Sequence, residues 1–552
     1  MDDRYDVVIV GSGFGGAVMA ARLGQHVRDA LGGRFSILVV EKGDDPTGRF
    51  DPSSAGAPIV DGTRNRQSLD PEYLAGVGEL FTDTSGAYRA GAPSMTVVAG
   101  KGIGGGSNLY LGVSLRAPSA VFELARDDRR LWPTYYDRAS LDRHYATVES
   151  ELSVHRMRWT DDDVPHWQLT TKRDFVFAEG CRRIGATALP LKLADANDAN
   201  EGWWAQGQRF EGRQDLTKNY LQDALETGVE FASGCPVDRV APTPDGYVLF
   251  GRDRRGGAER DFELECRVLI VASGCVGSTG LLLRSREAFA GDRALSERLG
   301  AQLSSNGDYG VTGIVGADYP LDVEGHKGKP MSSFCPSFWP EHRFLLIPFY
   351  ASPIYLALSQ FTSLLPPELP DARGRGSTGP KISPDGSAVP DWGEGYMERL
   401  SLFGRRMLTM GCLALDESEG RIELGRDGRT PEVRWPDTHP ATEARWSAAV
   451  DAMHGIYRAL GGEMFLDTYR RAGTVSTSHP LGGCPMADDR EHGVVASDGE
   501  VFGNPSLFVI DGAIVPAALG VNPSLTIAAV AESIAERLTL GQGTRSIAER
   551  LA

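Results

Sequence analysis

Gly11, Gly13 and Gly16 stand in a G-x-G-x-x-G spacing, filled out by Ser12, Phe14 and Gly15, directly behind the apolar run Tyr5 to Val10. That order reads as the opening strand of a dinucleotide fold. Gly11 permits a tight turn, Gly13 lets backbone N–H groups approach a diphosphate, and Gly16 lets helix and strand pack closely. A helix from Ala17 to roughly Ala30 turns its positive end to the anion. The next strand, Phe35 to Val40, ends at Glu41, followed by Lys42. A carboxylate there accepts from a ribose 2′-OH and repels a 2′-phosphate, which favours FAD or NAD over NADP. A glycine loop alone is a weak signal; here strand, helix and acid agree, without choosing between FAD and NAD.

Two further groups of residues could do chemistry. Gly100, Lys101, Gly102, Ile103, Gly104, Gly105, Gly106 and Ser107 lie between the apolar runs Thr96 to Ala99 and Leu109 to Leu115. Linkers are seldom flanked by β-branched runs, so this reads as backbone closely approaching a ligand or another segment, with β-like chain resuming at Leu109. Near the C-terminus, His479 sits in a loop whose Pro480, Gly482 and Gly483 fix an irregular backbone. A strand over Leu507 to Val509 then leads to Asp511 and Gly512, and Asn522 and Pro523 open a helix running to about Leu538. Asn522 and Pro523 read as N-cap and N1, a role that contact with a substrate could accompany.

The elements that must position these residues belong to a large chain. Its 552 residues call for two domains or one with large insertions, and 41% hydrophobic with 24% charged residues argue for a globular protein without a membrane span. A formal charge of −17 disfavours nucleic acid and anionic membranes as partners. The seven cysteines show no CxxC or other ligand spacing, so neither zinc nor a disulfide framework is expected. Reduced thiols and the lack of a cleavable apolar leader before the first strand point to a cytoplasmic protein.

Along the chain, Asp44 to Arg89 reads as surface loop with short helical pieces, a possible lid. Helices are expected over Trp132 to Leu152, Lys172 to Gly185 and Thr217 to Leu225, with short strands over Val229 to Ala232 and Val237 to Val240. Val268 to Ala272 is a continuous apolar run, a strand buried on both faces, ending in Ser273 and Gly274 before a helix over Ser278 to Arg284. Asn306, Gly307 and Asp308 make a turn. Phe344 to Phe361 carries no charge but is broken by Pro348 and Pro353, which suits buried strands or an apolar wall better than a spanning helix. Ser363 to Trp392 is Pro- and Gly-rich and reads as a mobile loop.

Gly100 to Gly112 resembles the second glycine-rich signature of the glucose-methanol-choline (GMC) oxidoreductases, and His479 to Cys484 resembles their cholesterol-oxidase branch. The resemblance covers most of the chain and resolves the cofactor as FAD. It implies α/β plus α+β architecture: an FAD-binding Rossmann-like domain with an antiparallel-sheet substrate domain lying over the flavin. The FAD domain would be discontinuous, from 1–130, 215–308 and 462–552, with 131–214 and 309–461 binding substrate. It further implies cofactor contacts at Gly102, Gly105, Gly106, Ser107, Asn108, Ser273, Gly274, Gly512 and Pro523, backbone near Val237 at the adenine, and Asp511 at the ribityl or diphosphate part. His479 and Asn522 would be the pair at the substrate oxygen.

Such a pair suits alcohol oxidation, in which hydride leaves carbon as the hydroxyl proton is lost. A histidine can accept that proton near neutral pH, and an asparagine can orient the oxygen without ionising. The helix opening at Pro523 would favour negative charge at the ring. Two departures stand out: Leu111 precedes Gly112 where many members have Asn, and Phe344 to Pro348 offers no counterpart of the active-site Glu of cholesterol oxidases. No histidine lies near the second glycine motif to tether FAD, so dissociable flavin is expected. The leading expectation is an enzyme oxidising a bulky, largely apolar alcohol, with oxygen or another acceptor. Alternatives are a dehydrogenase with a non-oxygen acceptor and a binding protein that has lost the flavin.

Overall fold

The computed structural model describes residues 1–53, 78–82, 94–159, 170–196, 212–350, 381–382, 388–389, 401, 404–435, 438–467 and 474–552. Most of the Asp44 to Arg89 loop, Phe344 to Phe361 beyond residue 350, and nearly all of Ser363 to Trp392 lie outside the described residues.

Strand β1 (Arg4–Val10) runs into helix α1 (Phe14–Asp29), which starts three residues earlier than expected because Gly13 is its N-cap. The helix presses on the sheet through small residues: a Cβ on Gly16 would lie 2.0 Å from the Gly11 carbonyl oxygen, and one on Gly15 1.7 Å from that of Ile510. Strand β2 (Ile37–Val40) follows, then β3 (Gly78–Thr82) and β4 (Ser94–Gly100), which pair antiparallel. Helix α2 (Arg138–Glu151) is shorter than the expected Trp132 to Leu152, because Asp137 and Ser140 form a capping box that sets its start. Helix α3 (Lys172–Arg183) carries its own cap at Thr171.

The chain then returns to the first sheet as β5 (Glu230–Ala232), β6 (Val237–Thr243), β7 (Gly246–Asp253) and β8 (Arg260–Val271). Beyond helix α4 (Cys275–Ser285) come β9 (Tyr309–Ile314), β10 (Phe344–Phe349), β11 (Met407–Ala414), helix α5 (Pro440–Ala459) and β12 (Glu463–Asp467). Strands β13 (Thr474–Thr477) and β14 (Leu507–Val509) and helix α6 (Ser524–Leu540) complete the set that positions the site.

In the first sheet the order is β5-β2-β1-β8-β7-β6. β8 has two successive neighbours: Arg260 to Cys266 pairs antiparallel with β7, and Leu269 to Val271 pairs parallel with β14. β1, β2, β5, β8 and β14 are therefore parallel, and their carboxyl ends share one edge, where open α/β sheets bind ligands. The second sheet, β10-β11-β9-β12, is antiparallel throughout. α5 packs Trp446, Val450, Met453 and Tyr457 into one buried cluster with Val311, Leu408 and Met410 of that sheet. β12 pairs with β9 in this sheet. A third sheet, β13-β4-β3, sets β13 parallel to β4 with Thr477 opposite Val97. Among the described residues no helix is long and apolar enough to cross a membrane.

The strand-like run expected at Leu109 to Leu115 does not form. Gly105 to Asn108 make one 3-10 turn, and the following segment stays irregular except for a bridge from Val113 to Leu193. Leu109, Leu111 and Val113 are apolar because they border a cavity, not because they fill a ladder.

Candidate active site

Three helices begin at one place. The N-caps of α1, α4 and α6 are Gly13, Gly274 and Pro523; none supplies a capping side chain, and none of the first turns holds an acid. Unsatisfied N–H groups and three positive helix ends therefore face a cavity of about 470 Å³ bordered by Gly13, Gly274 and Pro523. A Cβ added at Gly13, Gly106 or Gly274 would meet no atom within 4 Å. All three border the cavity, so their missing side chains leave room for a ligand against the backbone.

His479 reaches the same cavity from the loop after β13, next to β4, which feeds the second glycine loop. Its Nδ1 lies 2.8 and 2.9 Å from the two carboxylate oxygens of Asp308, and its Nε2 lies 3.0 Å from Asn522 Nδ2. An ionised carboxylate only accepts, so Nδ1 carries the hydrogen; in the neutral ring Nε2 is then the acceptor, and the Asn522 amide donates to it. Among the described residues, Asn522 Oδ1 is buried without a hydrogen-bond partner. Asn522 is not the helix cap: Pro523 takes that position, and the Asn522 amide is drawn to the imidazole instead.

A single loop holds both side chains. Asn306 Nδ2 donates to the Val521 carbonyl at 2.7 Å, and its Oδ1 accepts from the Leu519 and Gly520 N–H groups at 2.8 and 3.0 Å, fixing the segment that carries Asn522. Asp308, two residues on, takes His479 and the Thr477 hydroxyl at 2.8 Å. The loop is anchored by Asp416, whose buried carboxylate accepts from the Ser304 and Ser305 hydroxyls and from the Ser305, Gly307 and Ser418 N–H groups. Burial pushes the Asp416 carboxyl up, against those hydrogen bonds.

Phe14, Gly15, Lys42, Gly106, Ser273, Asp511 and Gly512, expected at the cofactor, border the cavity as well. Asp511 accepts from the Gly274 N–H and the Ser278 hydroxyl on one oxygen and from the Ala513 N–H on the other, while burial pushes its carboxyl up. Gly11 and Gly16 act in packing behind the wall, and Gly105 packs against Gly13. Ser107 and Asn108 bond within their own loop, to the Gly104 and Ile103 carbonyls. Buried Arg213 clasps that loop, donating to the Ser107 and Tyr110 carbonyls at 2.7 and 2.9 Å.

Glu41, expected at a ribose, also takes donors from the protein. Its Oε2 accepts from the Ser12 N–H and hydroxyl at 3.1 and 2.8 Å, and its Oε1 from the Gly43 and Gly102 N–H groups at 3.0 and 3.2 Å. Four donors converge there in a buried space, and a carboxylate satisfies them all. Gly102 is likewise spent on that contact. Val237, expected near the adenine, sits in β6 opposite Gly251. Asp308 was legible only as a turn residue, because its partner lies 171 residues away. It directly precedes β9 in the sheet where an active-site acid was sought, while Leu345, Leu346 and Ile347 are buried in β10.

Residues 5–302 and 416–531 match the N-terminal and C-terminal models of the GMC oxidoreductases. The chain belongs to the GMC oxidoreductase family. A cholesterol oxidase of Mycobacterium tuberculosis is 27% identical to this GMC oxidoreductase, covering 97% of this chain and 91% of that one. The long-chain-alcohol oxidase FAO4B of Arabidopsis thaliana is 24% identical, over 97% of this chain and 67% of the plant protein. Among solved structures, pyridoxine 4-oxidase from Mesorbium loti has a TM-score of 0.62 at 17% identity, covering 97% of this chain and 99% of that one. A fungal aryl-alcohol oxidase has 0.61 at 15%, covering 98% and 100%. This GMC oxidoreductase is thus an FAD-binding enzyme acting on alcohols. Its residues fit that cofactor: the open glycine wall and the uncapped N-termini of α1 and α4 suit a diphosphate.

Proposed function

We propose that the enzyme oxidises the CH–OH group of a bulky, largely apolar alcohol of sterol or long-chain type, with His479 and Asn522 at the reacting oxygen. FAD, held without a covalent bond by the α1 and α4 N-termini, Gly106 and Asp511, supplies the hydride acceptor. The observation that carries the reading is the 3.0 Å contact between His479 Nε2 and Asn522 Nδ2 at the cavity wall. A substrate hydroxyl would replace that direct contact and bond to both groups. Its oxygen accepts from the Asn522 amide, and its proton passes to the Nε2 lone pair that the amide then leaves, Nδ1 keeping its hydrogen toward Asp308. Val97, Val98, Leu109, Leu111, Met331 and Phe349 supply an apolar wall, which supports a hydrophobic substrate. The division into a cofactor domain and a substrate domain is carried over in the same way, with the second sheet and α5 on the substrate side. Molecular oxygen is the proposed acceptor, supported by relatives that are named as oxidases.

The test is anaerobic mixing of the purified holoenzyme with sterols, long-chain alcohols and aryl alcohols while flavin bleaching is followed. Bleaching by an apolar class is expected, and His479→Ala should slow it at least about a hundredfold with FAD retained. Bleaching by small sugars alone would overturn the substrate class. Stoichiometric peroxide on admitting air is expected; its absence would assign a non-oxygen acceptor.

A further inference from the structure

We infer that Asp308 is a positioning residue that sets the proton of His479 on Nδ1, and so makes Nε2 the ring atom that receives the substrate proton. The inference rests on the proposed role of His479 and deepens it.

Two nitrogens of a neutral imidazole compete for one hydrogen, and the outcome depends on what each faces. In this site the competition is one-sided. Nδ1 faces both oxygens of Asp308 at 2.8 and 2.9 Å, whereas Nε2 faces an amide nitrogen, which brings its own hydrogens. Asp308 is itself fixed. The Thr477 hydroxyl lies 2.8 Å and the Ser478 N–H 3.3 Å from its Oδ2, and the same Thr477 hydroxyl accepts from the His479 N–H at 2.8 Å. Carboxylate, hydroxyl and the backbone of the histidine thus close a ring of contacts that fixes the imidazole plane as well as its tautomer. When the hydroxyl proton arrives at Nε2, the resulting imidazolium keeps its Nδ1–H on the carboxylate, so charge appears beside a fixed counter-charge. The alternative tautomer would set an N–H against an N–H at Asn522 and leave the ring no lone pair facing the cavity for the alcohol proton.

The experiment uses holoenzyme labelled with ¹⁵N-histidine, the His479 signals being assigned by their loss in His479→Ala. Spectra are recorded at a pH where the ring is neutral. The expected wild-type pattern is a protonated Nδ1 and a bare Nε2. In Asp308→Asn that pattern should be lost or mixed, flavin reduction by the alcohol should slow at least about a hundredfold, and KM and FAD content should change little. A wild-type ring carrying its proton on Nε2 overturns the inference whether or not the variant folds. Unchanged tautomer in Asp308→Asn also overturns it, whatever the rate does. The Nδ1–H pattern together with a His479→Ala enzyme of undiminished reduction rate would leave the tautomer assignment standing and overturn the role proposed for His479.

Discussion

Gly105 and Gly13 meet backbone to backbone: a Cβ on Gly105 would lie 2.8 Å from Gly13 Cα. The two glycine loops, far apart in sequence, are thereby fitted to each other, and the first loop's N–H groups are aimed partly by the second. Gly105 also has φ of 50°. Gly105→Ala should add about 1–2 kcal/mol of backbone strain and push Gly13 from its place. FAD affinity is expected to fall at least about tenfold, read by flavin retained through gel filtration and by titration of apoprotein. Unchanged affinity would separate the two loops functionally.

Asn306→Gly removes three hydrogen bonds to residues 519–521 while suiting the positive φ of 57° at this position. The Leu519 and Gly520 N–H groups lose their acceptor, and Asn522 loses its fixed approach to His479. Reduction of the flavin by alcohol should slow about tenfold or more with FAD content unchanged. Stopped-flow bleaching at saturating alcohol measures it.

Arg22 joins α1 to α6 through Glu532, with contacts of 3.0, 2.9 and 2.7 Å, while the Tyr220 hydroxyl donates to the same carboxylate at 2.6 Å. These two helices aim their N-termini at the cavity, and Glu532 is buried between them. Glu532→Gln takes one of two carboxylates from a half-buried guanidinium and should cost about 1.5–3 kcal/mol in chemical denaturation. A smaller loss would show that Glu151, 2.7 Å from Arg22, takes over the charge.

His144 on α2 is buried, its Nε2 has no hydrogen-bond partner among the described residues, and its pKa is lowered, chiefly by burial and then by Arg143. The unfolded chain therefore binds more protons than the folded one as pH falls through the ordinary histidine range. Stability should decline from pH 7 downwards and level off below the depressed folded value. Thermal melts should show that slope, and His144→Gln should flatten it. An equal slope in the variant would move the effect to His26, whose pKa burial also lowers.

What could be seen in the sequence was whatever depends on neighbours along the chain. The strand-glycine-helix order from Tyr5 to Gly16 predicts the nucleotide edge because turn, N-cap and packing are all local demands on backbone. The Pro-Gly loop at His479 and the helix after Pro523 were legible for the same reason. Leu109 to Leu115 misled because an apolar run looks alike whether it faces a ladder or a cavity. Asn522 misled because Asn before Pro satisfies a cap in isolation, and only the imidazole opposite draws its amide elsewhere.

Tertiary structure decided how these pieces are combined. Glu41 reads in the sequence as a ribose ligand, and only the fold shows that it also takes the Gly102 N–H of the second glycine loop. Asp308 read as a turn residue, and its pairing with His479 exists because β13 lies parallel to β4 while β9 starts alongside. Hydrogen bonds between residues 171 apart leave no periodicity and no spacing to read. The amino-acid order by itself determined that a nucleotide, a histidine and apolar walls belong to one protein. The geometry of the folded chain determined which nitrogen of that histidine faces a carboxylate, because a direction in space is a property of packed elements and not of sequence.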